Sequence, residues 1–221
     1  MSPAGLHRMV YSDWGDAACD RVLVCVHGLA RVNARTVHWI GTSMGGLIGM
    51  ALAAQPHTPI KRLILNDVGP ILRAEALKRI TEFLGQAPDF PDLAAALAFI
   101  RTVSAPFGLT SDAQWIRLTE TSLRPHGSGF RLHYDPAIAT PLKAQGTGSV
   151  DIDVWPIYEA VTCPTLVVRG ELSDMLDRAT MDAMARRGPR AQVAEIPAVG
   201  HAPMYMDPAQ IAVVRNFLLQ P

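Results

Sequence analysis

The chain has 221 residues, 49% of them apolar, which suits one domain, or one domain with an inserted subdomain, around a sizeable core. Lys and Arg total 20 and Asp and Glu total 20, so the formal net charge is zero. That balance gives no reason to expect nucleic acid or an anionic membrane as a partner.

Cys19, Cys25 and Cys163 are odd in number and widely spaced, with no CxxC pair and no metal-ligand pattern. For Cys25 and Cys163, which sit in or beside apolar runs, reduced, buried thiols are the expectation. Residues 1–11 contain no apolar run of the kind a signal peptide needs. No apolar stretch is long enough to span a bilayer. A cytoplasmic protein acting on a small-molecule substrate is expected, and its oligomeric state is not encoded in any visible pattern.

Residues 8–14 (RMVYSDW) read as a short strand. Arg21–Val26 (RVLVCV) is a continuous β-rich apolar run, typical of a strand buried on both faces of a parallel sheet. Residues 37–41 (VHWIG) form a third strand, which breaks at Gly41-Thr42-Ser43-Met44-Gly45 and enters an apolar helix over 47–55. Residues 61–66 (KRLILN) form a fourth strand, stopped by Asp67-Val68-Gly69-Pro70. Helical periodicity then covers 73–86, 92–104 and 110–123, with Asp92 opening the second helix. No strand is evident in that stretch, and 127–154 reads as irregular. Strand character returns at 165–169 (TLVVR), a helix covers 178–187, Gln192–Ile196 is a last strand, and a helix over 208–219 closes the pattern.

Strands alternating with helices argue for an α/β fold with a doubly wound, mostly parallel sheet. On this reading residues 1–70 and 156–221 form the core. Residues 71–155 form a helical insertion over the carboxyl edge of the sheet, where such sheets bind ligands.

G-x-S-x-G at 41–45 lies between a strand and a helix. A serine hydroxyl is a weak nucleophile and must be exposed on a tight turn within reach of a histidine. The following helix aims its N-terminal N–H groups at the same spot, which favours developing negative charge. Ser43 is therefore the expected nucleophile and the Met44 N–H an oxyanion donor. His201, in a Gly-His-Ala-Pro loop after the last strand, is the expected general base. Asp174, after TLVVRG, is the favoured acid to orient it. Glu171 and Asp177 compete on the same loop. Asp67 is a more distant competitor, and a cap on the next turn is its preferred reading. The N–H of Leu29, after His27-Gly28, is the second expected oxyanion donor. Trp39, Met44, Phe83, Phe107, Trp115 and Tyr205 could line an acyl pocket, although apolar residues at such spacing are more often core.

The motifs HGL, GTSMGG, LNDVGP, RGELSD and GHAP, in this order, resemble the α/β-hydrolase superfamily, and more closely its bacterial esterase-like members with a helical cap. The resemblance spans about 6–219. It implies Ser43 as nucleophile, His201 as base, Asp174 as acid, Leu29 and Met44 as oxyanion donors, and no cofactor or metal. Members that cleave haloalkanes or epoxides carry an aspartate where this chain has Ser43. One departure stands out. Ser43 follows His27 by only 16 positions (43 − 27). The family pattern places a further strand and two helices there, about 60 residues at about 30 per strand–helix unit. An internal deletion is therefore expected.

The implied activity is cleavage of an ester, thioester or lactone through an acyl-enzyme. A prolyl-type aminopeptidase or a C–C bond hydrolase could use the same triad, and the shortened region leaves an inactive or receptor-like protein as a third reading.

Overall fold

The computed structural model describes residues 21–26, 35–140 and 150–220. The expected strand over 8–14, Cys19, and the loop bearing Leu29 lie outside the described residues. So do the side chains of 21–26, among them Cys25.

A five-stranded parallel sheet forms the centre, in the order β1 (Arg21–Val26), β2 (Thr36–Thr42), β3 (Ile60–Asn66), β9 (Thr165–Gly170), β10 (Gln192–Ile196). These are the apolar runs read from the sequence, each within a residue or two of its expected bounds. Five more strands, β4 to β8, fall between β3 and β9 in the chain.

Neighbouring residues of a strand face opposite sides of its sheet, and here both sides are buried. Trp39, Leu63, Leu65 and Val167 pack on one side. They meet Met50 of α1 (Met44–Ala53), Tyr158 of a later short helix (Trp155–Glu159), and Met181 and Met184 of another (Arg178–Met184). Ile40, Ile64, Leu166 and Val168 pack on the other, against Val214 and Phe217 of the final helix, Pro208–Leu218. Leu63, Ile64 and Leu65 are wholly buried, each contributing about 1.5–3 kcal/mol by leaving water. Cys163 is half-buried and makes no disulfide, and burial pushes its thiol up in pKa, as expected of an unreactive reduced cysteine.

The chain from Gly69 to Val154 leaves the sheet and returns to it. Its two ends pair antiparallel, β4 (Ile71–Leu72) against β8 (Ile152–Asp153). Arg73 straps this neck. It donates to Asp151 at 2.6 Å and, through Nε, to Asp177 at 3.1 Å. Beyond the neck come α2 (Ala74–Phe83), α3 (Leu93–Val103) and α4 (Asp112–Ser122). Asp92 caps α3 by accepting from Ala95 N–H, and Ser111 with Gln114 forms a capping box on α4.

The structure corrects the expectation that this stretch lacks strands. β5 (Asp89–Phe90), β6 (Leu123–His126) and β7 (Gly129–Leu132) form a small antiparallel sheet in the order β5-β7-β6. The hairpin turns on two residues, Gly127-Ser128, with Gly127 at φ +57°, where glycine carries no steric cost. The strands are too short to show alternation, and Pro125 hides β6 from a propensity reading. Phe90, Ala96, Ile100, Trp115, Leu118 and Leu132 give this region a hydrophobic cluster of its own.

The neck is sensitive to acid. The Ala74 N–H and the Arg73 guanidinium hold the Asp151 carboxyl below the ordinary carboxylate range. A depressed folded-state pKa contributes stability above the unfolded pKa of about 3.9, and that stability is lost as pH falls through the folded value. Asp151→Asn is therefore expected to melt below wild type at neutral pH. The gap should close below about pH 4, as read by thermal melts across that range.

Candidate active site

β2 and β3 are adjacent, so their carboxyl ends lie side by side at one edge of the sheet. Ser43 sits at the end of β2, before α1, with φ 51° and ψ −119°. A left-handed serine is strained, and such strain is characteristic of an exposed nucleophile on a strand-to-helix turn. Its backbone is pinned from both sides. Ser43 N–H donates to Asn66 O at 3.2 Å, and Ser43 O accepts from Gly46 N–H at 2.9 Å. Its side chain makes no capping bond to the helix, so Oγ is not committed to the backbone. The helix ladder begins with the N–H groups of Gly46 and Leu47, which places Met44 N–H ahead of it at the positive end of the helix.

The turn depends on close approach of strand and helix. A Cβ on Gly41 would lie 2.3 Å from Gly45 O, a contact that backbone cannot relieve. The same carbonyl accepts from Trp39 Nε1 at 3.0 Å.

His201 is nearly buried, and its Nδ1 lies 2.8 Å from Asp67 Oδ2. Asp67 is completely buried. Its other partners are Gly170 N–H, donating to Oδ1 at 2.8 Å, and Ser173 Oγ, donating to Oδ2 at 2.6 Å. With Nδ1–H directed at the carboxylate, Nε2 is the nitrogen that can accept a proton.

The acid expected at Asp174 is not against His201. Asp174 accepts from Arg79 Nε at 2.6 Å and Nη2 at 2.9 Å, on the exposed side of the loop after β9. Glu171 accepts from Ala198 N–H at 2.8 Å, and Asp177 caps the helix Arg178–Met184 through Thr180 N–H at 2.6 Å. Of the acids considered, Asp67 and not the preferred Asp174 is thus the one in contact with His201. β3 borders β2, the strand that ends at Ser43, whereas β9 lies one strand further away. Asp174 also lies four residues beyond β9, where an arginine of the insertion captures it.

Sequence reasoning missed Asn66 and Ser173. Asn66 is wholly buried and fastens three segments. Its Nδ2 donates to Thr42 Oγ1 and to Pro203 O, both at 2.9 Å, and its Oδ1 accepts from Tyr205 O–H at 2.8 Å. A polar Asn-Asp pair directly after the apolar run Leu63-Ile64-Leu65 is the signal that could have found this arrangement.

Ser43 and His201 open into one cavity of about 370 Å³, within the usual range for small-molecule sites. Its walls come mainly from the insertion, including Ile80, Phe83, Leu84, Phe99 and Phe107. Phe83 and Phe107 thus lie where a pocket was expected. Trp39 and Trp115 are core residues, Tyr205 anchors Asn66, and Met44 is exposed at the start of α1.

The sequence matches the Alpha/beta hydrolase family over residues 4–214. The chain belongs to that family. It is 38% identical to a 3-hydroxybutyrate-oligomer hydrolase of Cupriavidus necator, in an alignment covering 98% of this chain and 94% of that protein. It also resembles a solved structure from Rickettsia typhi, at 31% identity and a TM-score of 0.77, covering 86% of this chain and 64% of that one. An alpha/beta hydrolase from Novosphingobium aromaticivorans superposes with a TM-score of 0.75 at 34% identity, covering 84% of this chain and 66% of that one. The chain therefore spans just under two thirds of these two solved structures. The expected fold and hydrolase class are both met. No helix among the described residues is long and apolar enough to cross a membrane.

Gly41→Ala should disrupt the turn. The displaced helix start is expected to lower the melting temperature by several degrees, at a cost of about 1–3 kcal/mol. An unaltered melt would show that strand and helix are not in the close contact described.

Proposed function

We propose that this chain hydrolyses an ester bond of a small hydroxyacid oligomer through an acyl-enzyme on Ser43, with His201 as base and Asp67 as acid. The observation that carries this reading is the buried Asp67–His201 bond at the cavity that Ser43 also lines. The substrate class rests on the Cupriavidus necator relative, whose name specifies a 3-hydroxybutyrate oligomer. A largely hydrocarbon cavity suits the methyl and methylene groups of such an oligoester.

In this mechanism Ser43 Oγ bonds to the ester carbonyl carbon while its proton passes to His201 Nε2. The imidazolium is stabilised by the Asp67 carboxylate. The N–H of Met44 and, on the family pattern, that of Leu29 hold the oxyanion. His201 returns the proton to the alcohol oxygen as the C–O bond breaks. Water then attacks the acyl-enzyme, giving its proton to His201 and releasing the acid and Ser43. Residues 71–155 act as a cap that keeps bulk water from the acyl-enzyme.

The shortening inferred between His27 and Ser43 has two supports. Only nine residues, 27–35, join the parallel neighbours β1 and β2, where a crossover usually takes a dozen or more. The alignment with the Cupriavidus necator protein spans 277 positions against a chain of 221, so at least 56 (277 − 221) have no counterpart here. A chain so shortened could be inactive, which makes active-site labelling the first experiment.

Folded protein is expected to label on Ser43 with a fluorophosphonate probe and to hydrolyse short p-nitrophenyl esters. Ser43→Ala should lose both. Asp67→Asn should lower kcat by roughly 10⁴-fold, as loss of the orienting carboxylate does in other serine triads, and Asp174→Asn by under about tenfold. The reverse order for the two aspartates would restore Asp174 as the acid. Failure of Ser43 to label would favour a non-catalytic protein.

A further inference from the structure

The cavity has apolar walls with one permanently charged side chain among the described residues, Arg79. It projects from α2, one turn before Phe83 and next to Ile80, which line the same wall. Its counter-charge is Asp174, which lies outside the cavity lining, across the boundary between the insertion and the core.

The pair is built to be shared. Asp174 takes Nε and Nη2 of Arg79, while Nη1 makes no hydrogen bond among the described residues. The two side chains are 36% and 47% exposed, so solvent screens their attraction and an incoming anion can reach it. Guanidinium presents several N–H donors in a planar fork that suits carboxylates, and it stays charged at any working pH.

We propose that Arg79 is the carboxylate-binding group of this site. It would hold the free acid end of the substrate, with Asp174 as the resident counter-ion that positions it. The inference rests on the ester-hydrolase reading and sharpens it. An oligomer of a hydroxyacid ends in a carboxylate on its alcohol side, so a cation in the cap wall, with Ser43 at the floor, would select the scissile ester nearest that end. Asp174, in the position favoured by sequence for the acid, would then serve recognition instead of proton transfer.

The test compares two esters of one skeleton, the 3-hydroxybutyrate dimer with its free carboxyl and the methyl ester of that dimer. Wild type should prefer the free acid in kcat/KM by roughly tenfold, and added salt should erode that preference. Arg79→Gln should bring the ratio to about one, chiefly by raising KM for the acid, and Arg79→Lys should restore part of it. A wild-type ratio at or below one, or an Arg79→Gln loss equal for both esters, overturns the proposal. Calorimetric titration with 3-hydroxybutyrate provides a readout independent of turnover. If neither ester is cleaved, the hydrolase reading fails by itself. Weaker binding by Arg79→Gln would still support the carboxylate site, and unchanged binding would refute it.

Discussion

A wholly buried carboxylate, Asp67, holds the functional edge of the sheet together. A carboxyl group in the interior is tolerated only when its oxygens are hydrogen-bonded, and leaving a buried polar group unmet costs about 1–3 kcal/mol. Here Gly170, Ser173 and His201 meet them. Each comes from a different part of the chain: the end of β9, the loop after it, and the loop after β10. The interaction that orients the imidazole is therefore the same one that gathers these segments around β3. Asn66, one residue earlier, does the equivalent for the end of β2 and the segment from Pro203 to Tyr205. Together the two side chains fix Ser43 and His201 relative to one strand, and the precision of the site follows from the rigidity of the sheet.

The insertion contributes in a different way. It has its own apolar cluster and its own small sheet, and it is tied to the core at the neck by β4, β8 and the Arg73 strap. A second tie is Gly200 N–H, which donates to Pro106 O at 2.7 Å and so braces the histidine loop against the cap. The core carries Ser43, Asp67 and His201, and the insertion supplies most of the cavity wall.

Much of this was legible in the sequence. β1, β2, β3, β9 and β10 were evident because strands buried on both faces read as unbroken apolar runs. The helices of the insertion were evident from their period and from Asp92. The G-x-S-x-G turn and the histidine loop were evident from motif and context. The small sheet was not, since β5 has two residues and β6 carries a proline. That His201 meets Asp67 and not Asp174 was not legible, because it depends on which strand borders β2 and on where Arg79 lies. Both are facts of the tertiary arrangement, and Arg79 comes from an element whose placement over the sheet no local pattern encodes. Asp67 looked like a turn residue because Val68-Gly69-Pro70 follow it directly.

The neighbouring positions of β2 and β3 have a consequence for how this chain can change. Residues 36–67 carry Ser43, the helix behind it and Asp67 as one uninterrupted piece. Chain added between β3 and β9 lengthens neither the Ser43 turn nor the β3 end that bears Asp67, and His201 reaches Asp67 from the loop after β10. Two of the three residues gathered at this edge thus sit in one short piece of chain, and the other loops there can vary in length without separating them.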